Sequence, residues 1–258
     1  MMNQMEIPSD AEEDRGGVKS LTKALNLLDM LGRAGRAMSV SELAREAGVN
    51  RPTAYRLLQT LAASGYVQQD PTTGHVSMGY SVLPLSSALL DNNRFRIEAL
   101  PHLQALSVET GERSNLGILH RGRVLYLAGV EKPNLPMIYS RFGKTAPVHC
   151  CSLGKMILSL MPEAEVLSIL GQGPLERQTA HSIADVDAFL ADLEATRKRG
   201  YALDRQEHML GSFCVAAPIS GPGQTLLGAI SISCSSPEKA TRHVDSLLAK
   251  AELISHVV

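Results

Sequence analysis

NRPTAYRLLQTLAASGYVQQDPTTGHV, residues 50–76, decides how the first part of this chain is read. A helix opens at Asn50 or Arg51, with Pro52 in its first turn, where a missing N–H costs nothing. Ala54, Leu57, Leu58 and Leu61 recur at helical spacing and make one apolar side. The opposite side carries Pro52, Thr53, Arg56, Gln59 and Thr60, with Tyr55 on the flank. Gly65 ends the helix. Two short strand-like runs follow, YVQQ and HVSM, joined by Asp70-Pro71-Thr72-Thr73-Gly74, which is a turn composition.

Working back toward the N-terminus, VKSLTKALNLLDMLG places Leu21, Ala24, Leu25, Leu28 and Leu31 on one helical face, with Gly32 and Gly35 expected to break it. SVSELAREAGV follows, with Ser39 or Ser41 able to cap a short helix carrying Leu43 and Ala47, stopped by Gly48. Helix, short helix, tight turn, helix and hairpin, within about 60 residues, is the order of a winged helix-turn-helix. Such a module sets the second helix of its turn into the major groove. Arg56 and Gln59 have the reach and the donors for guanine and adenine edges. Arg51 and Thr53 suit phosphates near the helix start, and Tyr55 flanks them. The plainer alternative is an ordinary solvated helix face.

Charge favours the DNA-reading alternative. The net charge is −1, but residues 18–80 carry seven Lys/Arg against four Asp/Glu, while 81–258 balance at seventeen of each. Residues 1–17 hold Glu6, Asp10, Glu12, Glu13 and Asp14 against Arg15, without apolar periodicity, the pattern of a disordered acidic tail. The only basic segment is the one containing the opening stretch.

At 258 residues, with 44% hydrophobic content, no Trp and four Phe, the chain suits two domains of unequal size built on aliphatic cores. No stretch approaches the roughly 18 apolar residues of a membrane span, and the N-terminus lacks a signal peptide's pattern. Cys150, Cys151, Cys214 and Cys234 show no paired spacing, which argues against a secreted disulfide framework and for a cytoplasmic protein.

Residues 80–109 read as connecting helices punctuated by Pro84 and Pro101. Their stripe of Leu85, Ala88 and Leu89 suits packing on a second protomer or on the chain's own wing. Beyond 110, strand and helix signals alternate. RSNLGILH and RVLYLAGV flank a turn at Arg121-Gly122, MIYSRF reads as a strand, and SLGKMILSLM and PEAEVLSILG read as helices. IADVDAFLADLEATRKRG is an amphipathic helix whose basic last turn complements its dipole. FCVAAPIS and TLLGAISIS read as neighbouring strands, and PEKATRHVDSLLAKAELISHV as a closing helix. This grouping points to an α+β domain on an antiparallel sheet.

In the AISIS strand, Ser231 and Ser233 share one face and Ile230 and Ile232 the other. In FCVAAPI, Cys214 and Ala216 lie opposite Val215, Ala217 and Ile219. Small and polar side chains on adjacent strands suit the floor of a ligand pocket. Asp204 could accept from a ligand hydroxyl, and the start of the SLGK helix offers N–H groups to a carboxylate.

The segments VKSLTKALNLLDML, SVSELAREAGVNRPTAYRLLQTLAASGYVQQD and GHVSMGYSVLPLS resemble the N-terminal domain of the IclR family of bacterial transcription regulators. RGYALDRQEHMLGSFCVAAPIS and LGAISIS resemble that family's effector domain, as HCCSLGKMILS does less closely. The resemblance implies a winged helix-turn-helix at 18–79, linker helices at 80–109 and a GAF/PAS-like α+β effector domain at 110–258. It also implies a homodimer or homotetramer on double-stranded operator DNA. Members that sense small oxo-acids such as glyoxylate and pyruvate carry Asp, Cys and two Ser at positions matching Asp204, Cys214, Ser231 and Ser233. Ser152 and Leu153 fall in the loop beside that pocket. Leu153 departs from the family's small residue there.

Other chemistry is weaker. Gly154-Lys155 lacks the flanking residues of a phosphate-binding loop, so Lys155 is read as structural or as solvated on its helix. Cys150 and Cys151 leave open a metal- or redox-sensing regulator, although adjacent cysteines rarely ligate one tetrahedral ion. A Cys nucleophile with His149 as base would make an enzyme, but no orienting carboxylate is evident. The expectation is therefore a DNA-binding regulator rather than an enzyme, needing no cofactor, metal or membrane and responding to a small organic acid.

Overall fold

The computed structural model describes residues 17–132 and 142–258. Nearly all of the acidic segment (1–16) and of the MIYSRF run (137–141) lie outside the described residues. The chain divides into two compact units, Met1–Asn92 and Asn93–Val258.

The first unit runs α1 (Lys19–Ala34), α2 (Val40–Glu46), α3 (Arg51–Ala63), β1 (Val67–Gln69), β2 (Val76–Met78) and α4 (Val82–Asp91). Both helices of the turn are capped by side chains. Ser39 accepts from the Glu42 N–H at 3.1 Å, and Asn50 Oδ1 accepts from the Thr53 N–H at 2.9 Å. The β1–β2 hairpin pairs Val67 with Met78 and Gln69 with Val76. Its turn is held by Asp70, whose Oδ1 accepts from Thr72 and Thr73 N–H groups at 2.8 Å each. Val76 also exchanges backbone bonds with Met38, fastening the wing to the segment before α2. Leu27, Leu31, Met38, Leu43, Ala54, Leu58, Val67 and Val76 form the core.

Three expectations need correcting here. The buried stripe of α1 is Ala24, Leu27 and Leu31, while Leu21 and Leu25 stay about half exposed (56% and 52%). The set Leu21, Ala24, Leu25, Leu28 and Leu31 and the set Ala24, Leu27, Leu28 and Leu31 both fit helical spacing. Packing against α3 and β2 selects the second set. Gly32 also remains helical; the helix ends at Gly35, left-handed at φ 62°, whose N–H bonds Leu31 O. In α4, Leu85 and Leu89 are exposed, so the alternative in which they pack on the chain's own wing is not realised.

The second unit runs α5 (Arg94–Thr110), β3 (Arg113–His120), β4 (Arg123–Val130), β5 (Thr145–Pro147), α6 (Ser152–Ser159), α7 (Glu163–Leu170), α8 (Val186–Arg199), β6 (Ala202–Arg205), β7 (Phe213–Ser220), β8 (Leu226–Cys234), α9 (Pro237–Arg242) and α10 (Val244–Val257). The strands form one antiparallel sheet in the order β5-β4-β3-β8-β7-β6. Arg121 and Gly122 both take positive φ (48° and 68°), as a two-residue hairpin turn requires. The expected single closing helix is interrupted at His243, where φ −96° and ψ 8° leave helical geometry.

Alternation along β7 and β8 divides the two faces. Val215, Ala217, Ile219, Ile230 and Ile232 pack with residues of α5, α9 and α10. Ala216, Ala229, Ala202 and Tyr126 pack with residues of α6, α7 and α8. This second face is where small residues let α6 come close. A Cβ on Gly154 would lie 2.2 Å from Val148 O, so only glycine allows that approach.

Candidate functional site

On α3, Arg51, Tyr55, Arg56 and Gln59 are exposed and Thr53 is half-buried, while Ala54 and Leu58 face the core. The helix thus presents a polar face with two guanidinium groups. Two of its groups already have partners. Gln59 Nε2 donates to Gln69 Oε1 of the wing at 3.4 Å, and Gln69 Nε2 donates to Gly74 O at 2.9 Å. The Thr53 N–H is taken by Asn50, so that helix-start donor is not open to a phosphate.

In the second unit the sheet register builds a pocket floor. Ser233 on β8 pairs with Cys214 on β7, and Cys214 pairs with Asp204 on β6. These three side chains form one cross-sheet row on the α6 side of the sheet. One step along lies the row of Asn115, Ser231, Ala216 and Ala202. Ser152 and Leu153, at the start of α6, close the pocket from above. The six effector residues read from the sequence (Ser152, Leu153, Asp204, Cys214, Ser231 and Ser233) therefore border one cavity.

The floor is hydrogen-bonded across the strands. Cys214 Sγ donates to Ser233 Oγ at 3.4 Å, and Ser212 Oγ lies 3.5 Å from Cys214 Sγ. Asp204 is 3% exposed, and its Oδ1 accepts from the Glu207 N–H at 2.7 Å. Burial pushes the Asp204 carboxyl up from 3.8 to about 7, against the N–H bond from Glu207; the Glu207 carboxylate adds to the rise. The cavity volume is only about 10 Å³, room for about one water. Leu153 is among the side chains that fill this space: it is 1% exposed and borders the cavity.

Beside the pocket, Lys155 is fully buried. Its Nζ lies 2.6 Å from Glu207 Oε1, 3.0 Å from Asp192 Oδ2 and 2.9 Å from Leu203 O. The alternative of a solvated Lys155 is therefore wrong. Sequence spacing could not reveal it, because its partners come from 37 and 52 residues away in the chain.

Tyr126, Cys151, His208 and Ser212 also border the cavity and were not among the expected effector residues. Ser212 continues the alternation of Cys214 by one step, a signal that was present. His208 lies in a loop without periodicity, and Tyr126 comes into place only through the pairing of Gly117 with Tyr126.

The thiols are poorly placed for metal or nucleophilic chemistry. Burial pushes Cys150 up to about 12 and Cys151 higher still. His149 turns its Nε2 to Glu176 O at 2.8 Å rather than to a sulfur. Cys150 Sγ lies 3.6 Å from His208 Nδ1. Among the described residues no group of three or more His, Cys, Asp or Glu is arranged to hold a metal ion, and no helix is long and apolar enough to cross a membrane.

Comparison with known proteins adds to this geometry. A family model described as the IclR helix-turn-helix domain matches residues 20–71, and one described as the bacterial transcriptional regulator IclR C-terminal domain matches 87–256. The acetate operon repressor of Salmonella typhimurium is 32% identical over 220 residues, covering 84% of this chain and 80% of that protein. The HTH-type transcriptional regulator XynR of Escherichia coli is 29% identical over 216 residues, covering 84% and 86%. A crystal structure of a regulator of this type from Alicyclobacillus acidocaldarius aligns with a TM-score of 0.81 at 28% identity, covering 93% of this chain and 99% of that one.

Proposed function

We propose the following function for this chain, which belongs to the IclR family of bacterial transcriptional regulators. It binds double-stranded operator DNA through α3 and the wing, and a small carboxylate in the pocket of the second unit changes that affinity. Arg56 reads a base edge, with Gln59 steadied by Gln69 beside it. Arg51, Thr53 and Tyr55 hold the phosphate backbone.

The observation that carries the effector half is the cross-sheet row of buried Asp204 and half-buried Cys214 and Ser233 beneath the start of α6. Lined with donors and a carboxyl raised to about 7, the cavity suits the carboxylate end of a small acid, and it must widen from its present volume to admit one. The mechanism is linkage: the acid favours one arrangement of paired DNA-binding units by its differential affinity for the two. Paired units imply a homodimer or homotetramer, since a lone winged module has a small footprint. The exposed leucines of α1 and α4 support such pairing. Acting on operator DNA, the protein works in the cytoplasm in this reading.

The test is selection of bound sequences from random duplexes at fixed salt, then titration of the selected site with and without pyruvate or glyoxylate. The reading expects one two-fold site whose affinity shifts with an acid. Binding that tracks salt alone, without sequence preference, would overturn it.

A further inference from the structure

We propose that Asn115 is a positioning residue that sets both floor hydroxyls as donors into the pocket, restricting it to a ligand end that only accepts hydrogen bonds. This rests on the acid-binding reading above and deepens it. Asn115 is 1% exposed on β3 and pairs across the sheet with Ser231. Its Nδ2 donates to Ser231 Oγ at 3.3 Å and to Ser233 Oγ at 3.4 Å. Each amide proton serves one serine.

The consequence follows from counting donors and acceptors. A seryl hydroxyl has two lone pairs and one proton. Ser233 Oγ accepts from Asn115 and also from the Cys214 thiol at 3.4 Å, so both lone pairs are engaged and only its proton is left to give. Ser231 Oγ accepts from Asn115. Among the described residues no acceptor takes the proton of either serine, which leaves the cavity they both border as the place for the two O–H bonds to donate. A carboxylate or carbonyl oxygen completes these bonds. An ammonium or amide N–H meets two donors and is repelled.

The orientation of the Asn115 amide is decided by cost. Its Oδ1 is buried with no hydrogen-bond partner among the described residues. Turning the amide over would let the serines donate to Oδ1, but would strand an NH₂ group with two donors in that same unpartnered place. One unpaired carbonyl oxygen is the lesser penalty. A floor that is polarised this way is selective for anions without carrying a positive charge.

Two measurements on the full chain test this. Neutron diffraction from deuterated protein locates the protons directly, whether or not any acid binds. Deuterons on Asn115 Nδ2 directed at both serine oxygens, with the serine deuterons facing the cavity, are the expected result. An Oδ1 that accepts the serine deuterons would overturn the proposal.

The second measurement is calorimetric titration of pyruvate and acetate into wild type, Asn115→Asp and Asn115→Leu, each checked for a cooperative melt. Asn115→Asp turns both hydroxyls inward to the new carboxylate and should weaken both acids at least tenfold. The neutral, similarly shaped Asn115→Leu should weaken them less, since its freed hydroxyls can still rotate to donate. Wild-type affinity in both variants would overturn the proposal. Wild type that binds neither acid would count against the acid-binding reading, and the neutron result would then decide the role of Asn115 alone.

Discussion

Lys155 Nζ lies 2.6 Å from Glu207 Oε1, with the lysine side chain wholly buried and the glutamate side chain 5% exposed. The pair does more than satisfy two charges. Glu207 gives its backbone N–H to Asp204 Oδ1 and takes the Arg205 N–H at 3.2 Å on Oε1, so it folds the chain after β6 into the pocket wall. Lys155 sits one turn into α6, whose start forms the opposite wall. One buried cation thus holds the two walls at a set distance.

Lys155→Met should therefore cost more than an ordinary core change. It leaves Glu207 and Asp192 without their cation in a dry environment, a loss of about 3–5 kcal/mol. Thermal unfolding should move down by on the order of 10 °C. A melt within two degrees of wild type would show that the network is dispensable.

Asp204 predicts a pH dependence whose sign can be worked out. Its carboxyl titrates near 7 in the folded chain against an ordinary 3.8, so between about pH 4 and 7 the native state holds a proton that the unfolded chain has lost. The contribution is fully present below about pH 4 and is lost as pH rises through about 7. A shift of this size corresponds to about 4 kcal/mol. Denaturant titrations should show stability falling across that window, and Asp204→Asn, which keeps an acceptor for the Glu207 N–H, should flatten it.

The same carboxyl bears on the ligand. Its neutral form donates to an acid, whereas its ionised form repels one, so affinity for pyruvate should fall as pH rises through about 7. Asp204→Ala should abolish the response of DNA affinity to the acid while leaving DNA binding itself intact. Loss of both together would mean that Asp204 supports the fold rather than the signal.

If the pocket takes an acid as proposed, Leu153 should limit the ligand's size. Leu153→Ala should open the cavity at a cost of about 2–5 kcal/mol in stability. Oxo-acids one or two carbons longer than pyruvate should gain at least tenfold in affinity, since each methylene set in the apolar space that the leucine side chain vacates is worth about 1–3 kcal/mol. An unchanged preference would place the size limit elsewhere, with Tyr126 the next residue to test.

Arg56→Ala tests the DNA-facing helix. The side chain is exposed, so the melt should not move. A lost base contact is worth about 1–3 kcal/mol, and the selected operator should lose its preference at one position per half-site. An unchanged sequence preference would remove Arg56 from the reading surface.

Much of the first unit was legible because its signals are local. Caps, a proline in a first turn and apolar spacing within thirteen residues act between near neighbours, and α2, α3 and the wing lie where those signals put them. The leucines of α1 were harder. Two overlapping sets fit the same helical spacing, and only contact with α3 and β2 chose between them.

The pocket was legible in part for the same reason. Alternation along β7 and β8 separates Cys214, Ser231 and Ser233 from the isoleucines, and that follows from strand geometry alone. Their partners did not follow. Asn115 reaches Ser231 across 116 residues and Lys155 reaches Glu207 across 52, and no spacing rule operates over such lengths. Tyr126 enters the cavity only because β3 shifts register between Leu116 and Gly117.

The sequence by itself determined the order of most elements, the polar face of α3, and which side of β7 and β8 is small and polar. All of these rest on backbone periodicity and on interactions between near neighbours. The tertiary structure alone decided that Lys155 is buried, that Asp204, Cys214 and Ser233 stand in one row, and that Asn115 faces both serines. Those outcomes depend on sheet register and helix docking, which are set by packing summed over the whole core rather than by any one segment.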